Sequence, residues 1–525
     1  MTIASLTRIS ALARLGAIDR AWQLFETEGH AARQDDPAAL ALKGRLLKDR
    51  AWHAQGSERL ALLAQAEQAY AAADALAPAP YLLINVAALA TLAGAPDRGA
   101  AIAGDVLARL AHDVAETPYY IAATKAEALL LRGDRDGAEQ ALAHAARLLP
   151  AGWEERAGTL RQFARILDTT GQDSGWLGRF RAPASLHYAG HLGIAPPGAD
   201  SLRAEIARVI AERRVGFAFG ALAAGADLLA AEAALAAGAA LHIVLPCPPD
   251  AFARQSVAPY GAEWMPRYQA CLAAAASLRI VANTARCFDP LPTALAAEVA
   301  MGAALLHADR LAADALQLVV IDEGPAPFGS GAGTARDAAV WPRRPDTDQV
   351  VLRWPRDAAV PPSAGKVETP EHRALMALVL VAPGCEITSD DALDDWIDQV
   401  RARLDPGPAQ HVQAHGNALL LGFGDIAEAA RFALAVAERT SGQRPTRVAG
   451  TYGLVRDVAG ALAGSAVATA EAVAAICPPW TATVDDVFAD ALTLHAGQIS
   501  SIPLGDYGGA SGPSLPLFAL VTGSR

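Results

Sequence analysis

Along roughly the first 170 residues, apolar positions recur at helical spacing and are broken at near-regular intervals by glycine. The pairs Leu15-Gly16, Gln55-Gly56, Ala93-Gly94 and Arg132-Gly133 are separated by 40, 38 and 39 residues. Each glycine follows one Ala/Leu-rich stretch and precedes another, as in the run from Ala128 through Gly133 to Leu142. The pattern predicts helix hairpins with glycine caps, stacked as an α-solenoid of tetratricopeptide type with lengthened repeats. Such stacks bury a core between neighbours and leave a concave face suited to a protein partner.

From about Pro183 the period changes. Ala184 to His191, Arg214 to Phe219, Ala240 to Pro246 and Leu316 to Asp322 are short apolar runs that read as strands, with helical runs between them such as Ala226 to Ala237 and Leu291 to His307. Alternating strands and helices predict a parallel sheet covered on both faces, with ligands bound outside the carboxyl ends of the strands. Residues 346–371, with Pro355, Pro361, Pro362 and Pro370 among charges, read as a proline-rich linker. Beyond it, strands at Ala374 to Val381, His415 to Phe423 and Arg447 to Gly453 alternate with helices at Asp391 to Leu404, Ile426 to Thr440 and Ala466 to Ile476. That order is α+β with an antiparallel component. The predicted architecture is a multidomain α and α/β chain: residues 1–180 solenoid, 183–345 Rossmann-like α/β sandwich, 346–371 linker and 372–523 α+β domain.

Composition narrows the function classes. With 52% hydrophobic and 19% charged residues the chain is globular rather than disordered. A net charge of −12 without a dense Lys/Arg run excludes the footprint of a nucleic-acid binder. The most apolar region, Phe217 to Pro249, is interrupted by Asp227, Glu232 and His242, which argues for a buried sheet and against a membrane span. The N-terminus lacks the organisation of a signal peptide, and the five cysteines have no CxxC spacing, so a reducing cytoplasm is expected, without a zinc site or a disulfide framework.

The segment with the most chemistry is Ile321 to Asp337, where an apolar strand runs into a glycine-rich turn that opens a helix. Gly331 and Gly333 allow close approach of an anion, the first helical N–H groups lack internal partners, and Thr334 adds a hydroxyl. Gly190 and His191 follow the first strand; Gly220, Gly225, Asp227 and Glu232 follow the second. Together with Asp337 these residues converge on one rim and form the candidate ligand site. His187 and His191 are four apart, but on a strand and turn that spacing places a metal pair poorly. No Walker loop, GxSxG elbow or Cys/His pair occurs, and no cofactor is implied.

Three resemblances add to this reading. Ala41 to Asp49, Tyr81 to Asn85, Ala123 to Ala128 and Thr159 to Phe163 resemble the tetratricopeptide region called the TRAFs-binding domain, known from stress-activated MAP kinase kinase kinases and bacterial signalling proteins. That resemblance implies a regulatory, scaffold-like role. Gly331 to Asp337, with Gly220 to Glu232 and His242 to Pro246, resembles the SLOG superfamily, the Rossmannoid domains related to the Lonely Guy phosphoribohydrolases, and implies a site for a nucleotide-type ligand. Ser330 stands where that family has its first loop glycine, and Asp337 replaces its glutamate. If the pocket hydrolysed an N-glycosidic bond, Asp337 or Glu232 would be the carboxylate. A side chain one methylene shorter misplaces its carboxyl by about 1 Å, which can cost on the order of a hundredfold in rate. Residues 372–523 resemble a class III nucleotidyl cyclase homology domain through Gly416 to Phe423, Tyr452-Gly453 and Gly464 to Val467. Asn417 stands at the glycine-aspartate turn, no carboxylate lies between Ala374 and Gly384, and Ala468 and Ala472 replace the family's asparagine and arginine. The resemblance then implies a pseudo-cyclase that serves homodimerisation rather than two-metal chemistry.

Overall fold

A computed structural model describes the chain except residues 1–5, 8, 11, 14–17, 113–115, 195, 286–288, 323–329, 343–345, 357–371, 388, 403–406, 441–443, 496, 509–513 and 523–525. Leu15-Gly16, most of the predicted glycine-rich turn (323–329) and most of the proline-rich linker thus lie outside the described residues. The chain divides into two compact units, one formed essentially by residues 1–182 and the other by residues 183–309 and 313–523.

The first unit is helical: α1 (Ile18–Thr27), α2 (Pro37–Ala51), α3 (Gly56–Leu76), α4 (Pro80–Leu92), α5 (Pro96–Leu110), α6 (Pro118–Leu131), α7 (Arg135–Leu148) and α8 (Trp153–Thr169). The repeat glycines act as read at two positions. Gly94 and Gly133 take φ of 93° and 78°, and each ends its helix in a Schellman motif: Gly133 N–H donates to Leu130 O at 2.9 Å and Asp134 N–H to Leu129 O at 3.0 Å. Gly56 instead opens α3. Asp36 caps α2 and Asp134 caps α7 through their side chains. Proline at the first position of α2, α4, α5 and α6 sits where a missing N–H costs nothing. Leu47, Leu63, Tyr70 and Leu89 form one buried cluster, and Leu130, Leu142, Phe163 and Ile166 another.

In the second unit, β1 (Ala184–Gly190), β2 (Val215–Gly220), β3 (Ala240–Leu245), β4 (Ser277–Ile280), β5 (Ala315–Ile321) and β6 (Thr347–Arg353) form one sheet in the order β4-β3-β2-β1-β5-β6. Every pairing in it is parallel. The connecting helices are α9 (Pro196–Glu212), α10 (Ala226–Ala236), α11 (Pro249–Ser256), α12 (Trp264–Ala274), α13 (Pro290–Leu311) and α14 (Ser330–Val340). The chain steps outward from β1 to β4, then crosses back to place β5 on the other side of β1, so the topological switch point lies between β1 and β5. Residues 347–353, read from sequence as linker, are the sixth strand, in register with β5 from Ala315↔Thr347 to Ile321↔Arg353.

The same unit holds a mixed sheet of β7 (Arg373–Pro383), β8 (His411–His415), β9 (Ala418–Phe423), β10 (Thr446–Val458), β11 (Ala461–Ala463), β12 (Ala482–Asp485), β13 (Ile499–Gly508) and β14 (Ser514–Thr522). Its path is β13-β14-β12-β10-β7-β9-β8, with β11 paired to β10. Helices α15 (Asp390–Arg401), α16 (Ile426–Arg439), α17 (Ser465–Ile476) and α18 (Asp486–Leu494) complete it. Helix α13 is long and apolar enough to cross a bilayer, yet here Val299, Ala304 and Leu305 are buried within the unit. Its outer residues carry the mixed sheet. Leu295, Val299 and Ala300 share an apolar cluster with Val244 of β3 and with Leu375, Tyr452 and Val487. The two domains read separately from sequence thus form one compact unit.

Candidate functional site

The carboxyl ends of β1, β2 and β3 and the N-terminal parts of α10, α13 and α14 enclose a cleft of about 860 Å³, open mouth included. Two glycines make it possible. A Cβ at Gly190 would collide with the Cβ of Ala226, the first residue of α10, and one at Gly220 would lie 2.6 Å from the Tyr188 ring. Without side chains at these positions, α10 starts directly against the strand ends. Gly225, with φ of 118°, makes the turn before it, where a Cβ would stand 2.9 Å from His191 O.

That approach fixes Asp227. Its Oδ1 accepts the Gly190 N–H at 2.9 Å and its Oδ2 the Ala223 N–H at 3.4 Å, with the carboxyl at the cleft wall. Asp337 enters from α14, one turn beyond Thr334, and both line the cleft. Burial pushes each aspartate up to about 7. For Asp227 the two backbone donors oppose that shift and the charge of Asp337 adds to it; for Asp337, Arg336 opposes and Glu298 adds. The cleft is therefore lined by two acids whose protonated form burial favours. Apolar walls come from Leu192, Val244, Phe252 and Ala300, and hydroxyls from Ser256, Thr293 and Thr334. The described lining contains no Lys or Arg side chain.

The candidate residues divide accordingly. Gly190, Gly220, Asp227, Gly333, Thr334 and Asp337 line one cleft. Gly225 shapes the turn behind it, and Gly331 falls in the first turn of α14, which begins at Ser330 rather than after the last glycine. His191 is buried outside the lining, its Nε2 2.9 Å from Trp354 O and its Nδ1 3.1 Å from Leu192 O, so it ties the end of β1 to the chain leaving β6. Glu232 is a correction. Five residues after Asp227 it stands about 140° away around α10, where both its carboxylate oxygens accept from Arg267 of α12, at 2.6 and 2.5 Å. A carboxylate so engaged on another face is no partner for Asp337.

From sequence His187, which also lines the cleft, is weighed only as half of a metal pair, and its glutamine partners are missed. His187, Gln317 and Gln349 stand side by side in register across β1, β5 and β6. Gln317 Nε2 donates to Asp337 O at 3.1 Å and lies 3.2 Å from His187 Nδ1; Gln349 Nε2 donates to Gln317 Oε1 at 2.6 Å and to Ala338 O at 2.7 Å. This ladder pins α14, and with it Asp337, onto the sheet. Burial lowers His187 to about 3, so the ring is neutral and accepts at Nδ1. The one signal in the sequence is a glutamine inside the buried run Leu316-Gln317-Leu318.

On the far side of α13, Glu298 accepts from Arg336 and, at 3.0 Å, from the Tyr452 hydroxyl of β10. Arg279 of β4 pairs with Asp490 and, at 3.1 Å, with Asp486 of α18.

The Tetratricopeptide Repeats-Sensor family matches residues 5–90. Among curated proteins, none matches the chain in sequence. By structure the chain is similar to an adenylate/guanylate cyclase/hydrolase from Silicibacter pomeroyi, 20% identical over 28% of this chain and 97% of that one, with a TM-score of 0.25. It is similar to the catalytic core of a rhodopsin-guanylyl cyclase with converted specificity, solved with ATPalphaS, at 17% identity over 28% of this chain and 95% of that one, TM-score 0.23. A Thermobaculum terrenum O-GlcNAc transferase mutant is 13% identical over 56% of each chain, TM-score 0.19. What the family match establishes is that the N-terminal region carries repeats of tetratricopeptide type.

Proposed function

We propose that the chain is a cytoplasmic signalling protein that binds a nucleotide-type small molecule in the cleft of the parallel sheet, as the SLOG resemblance implies, and couples that binding to protein partners through its helical repeats. The mixed-sheet domain serves assembly as a homodimer. The observation that carries this reading is the pair Asp227 and Asp337 lining an apolar-walled cleft at the carboxyl ends of parallel strands. Phe252 and the α13 alanines suit a planar base. The two carboxyls suit sugar hydroxyls and ring amines. With no cation in the described lining, a phosphate would be met by hydroxyls and by the N-terminal amides of α14.

One observation favours a second reading, hydrolysis of a nucleotide or its N-glycosidic bond. Burial pushes both acids up to about 7, where a carboxyl can serve as a general acid or, once ionised, as a general base. Thermal denaturation with a nucleotide panel, followed by chromatography of the recovered ligand, separates the cases. A sensor gains stability and returns the ligand intact; an enzyme consumes it. A scaffold with a vestigial pocket does neither, and that result, or unchanged responses in Thr334→Ala and Gly333→Asp, would sink the assignment.

A further inference from the structure

The cleft deepens between α13 and α14, and its lining residues mark a rim and an inner end. Along α13, Thr293, Ala296, Ala297 and Ala300 recur at one-turn steps, as Gly333 and Asp337 do along α14. Both helices start at the carboxyl ends of the strands, so Thr293 and Gly333 stand at the rim and Ala300 and Asp337 at the inner end. His187 joins the inner end, three residues and about 10 Å back from Gly190 along β1. Alanines leave room there, and the polar groups are the Asp337 carboxyl and the His187 ring.

The glutamine ladder decides how that ring hydrogen-bonds. Ala338 O and Asp337 O can only accept, so Gln349 and Gln317 must turn their amide nitrogens to them. Gln317 Oε1 then takes the other Gln349 N–H at 2.6 Å, and Gln317 Nε2, a donor only, faces His187 Nδ1 at 3.2 Å. Nδ1 must accept, which places the single proton of the neutral ring on Nε2. Nε2 lies on the ring edge turned away from β5 and has no hydrogen-bond partner among the described residues, on a side chain 2% exposed that lines the cleft. Stacking on Trp341, 6.1 Å between ring centres, holds the plane of the ring. The acids and hydroxyls of the lining can donate or accept. Among the described side chains there, His187 alone is a donor that cannot accept, and a buried donor calls for an acceptor from the ligand.

We propose that His187 sets the base preference of the cleft: its Nε2–H donates to a ring carbonyl, so oxo-bases (hypoxanthine, guanine, uracil) are taken over amino-bases. The assignment rests on the nucleotide reading of the cleft, with the phosphate at the α14 amides. A base then enters leading with the atom farthest from the sugar, the substituent at C6 of a purine or C4 of a pyrimidine. A carbonyl oxygen in that place accepts from Nε2–H, and the ring N–H beside it finds the Asp337 carboxyl. An amino group sets donor against donor and leaves the His187 proton unpaired.

Titration calorimetry of the full chain with IMP, AMP, UMP and CMP tests this, counting only the binding that Gly333→Asp abolishes. IMP should bind about tenfold tighter than AMP, and UMP than CMP. His187→Phe keeps a ring against Trp341 and removes the donor, so it should weaken IMP and UMP to the level of AMP and CMP and leave the latter two unchanged. Equal weakening of all four would show a purely structural role and overturn the assignment. If the variant unfolds by circular dichroism, heteronuclear spectra of the histidine rings in the parent decide. An Nε2-protonated His187 whose proton resonance moves with IMP and not with AMP supports the assignment; an Nδ1-protonated ring overturns it whether or not a nucleotide binds. Nucleotides that bind without preference for oxo-bases overturn the role of His187 and leave the nucleotide reading standing. No binding at millimolar concentration overturns both.

Discussion

Replacing Asp227 by asparagine isolates the electrostatic cost of the cleft. In the folded chain the carboxyl is pushed up from 3.8 to about 7, a displacement worth about 4 kcal/mol at 1.36 kcal/mol per unit. The sign follows from proton linkage. Between the two values the folded state holds a proton that the unfolded state has lost, so this contribution is fully present below about pH 4 and is lost as pH rises through 7. With an effective dielectric nearer that of a partly open site than of a dry interior, the realised figure is about 2 kcal/mol. Asparagine keeps an oxygen for the Gly190 N–H and gives up the long contact to Ala223, a loss of at most about 1 kcal/mol. Asp227→Asn should therefore raise the melting temperature of the second unit at pH 8 by roughly 1–3 °C, and should give no gain, or a small loss, at pH 5. Thermal scans of parent and variant at both values measure the difference directly. An equal effect at the two pH values would refute a buried carboxyl titrating near neutrality.

Three further outcomes follow from the same structure. Gln317→Leu removes the donor to Asp337 O and the acceptor for Gln349, so urea unfolding should show a loss of about 2–4 kcal/mol from orphaned buried groups; a loss under 1 kcal/mol would mean the ladder holds nothing. Arg279→Met removes the guanidinium that pairs with Asp486 and Asp490 and should cost about 3–5 kcal/mol, read by calorimetry, with Arg279→Lys recovering part of it. Gly302→Leu has no room, because even a Cβ there meets the Asp490 backbone; limited proteolysis should release the mixed-sheet domain faster, and an unchanged cleavage rate would contradict the close packing of α13.

What could be read along the chain was set by how locally each feature is encoded. Strands β1, β2, β3 and β5 are runs of buried apolar residues, and the sequence reading places their ends within a residue or two. Strand β4 escaped because Ser277-Leu-Arg-Ile280 is short, lies at the sheet edge and is mostly exposed. Strand β6 escaped for the same positional reason: an edge strand keeps Asp348 and Arg353 in solvent, and prolines flank it. Asp227 was legible because the glycines before it announce a turn into a helix. Glu232 was misplaced by helix phase. The His187, Gln317 and Gln349 ladder was invisible, since it exists only once three strands distant in sequence take one register, and no single-strand pattern encodes that.

Helix α13 explains why the cleft and the mixed sheet cannot be treated as independent parts. Thr293, Ala296, Ala297 and Ala300 form a wall of the cleft, while Glu298 and Gly302 engage Tyr452 and the Asp490 backbone on the other side. The apolar cluster is continuous through the helix, from Val244 at the cleft to Leu375, Tyr452 and Val487. Arg336, next in sequence to Asp337, joins α14 to the same Glu298. An interior packed at crystal-like density does not absorb displacement locally. A ligand that widens the cleft or changes the charge on Asp337 must then move α13 against β10 and α18, or be resisted by them. A ligand bound in the cleft as proposed would be coupled to the mixed-sheet domain through α13, on which that domain rests.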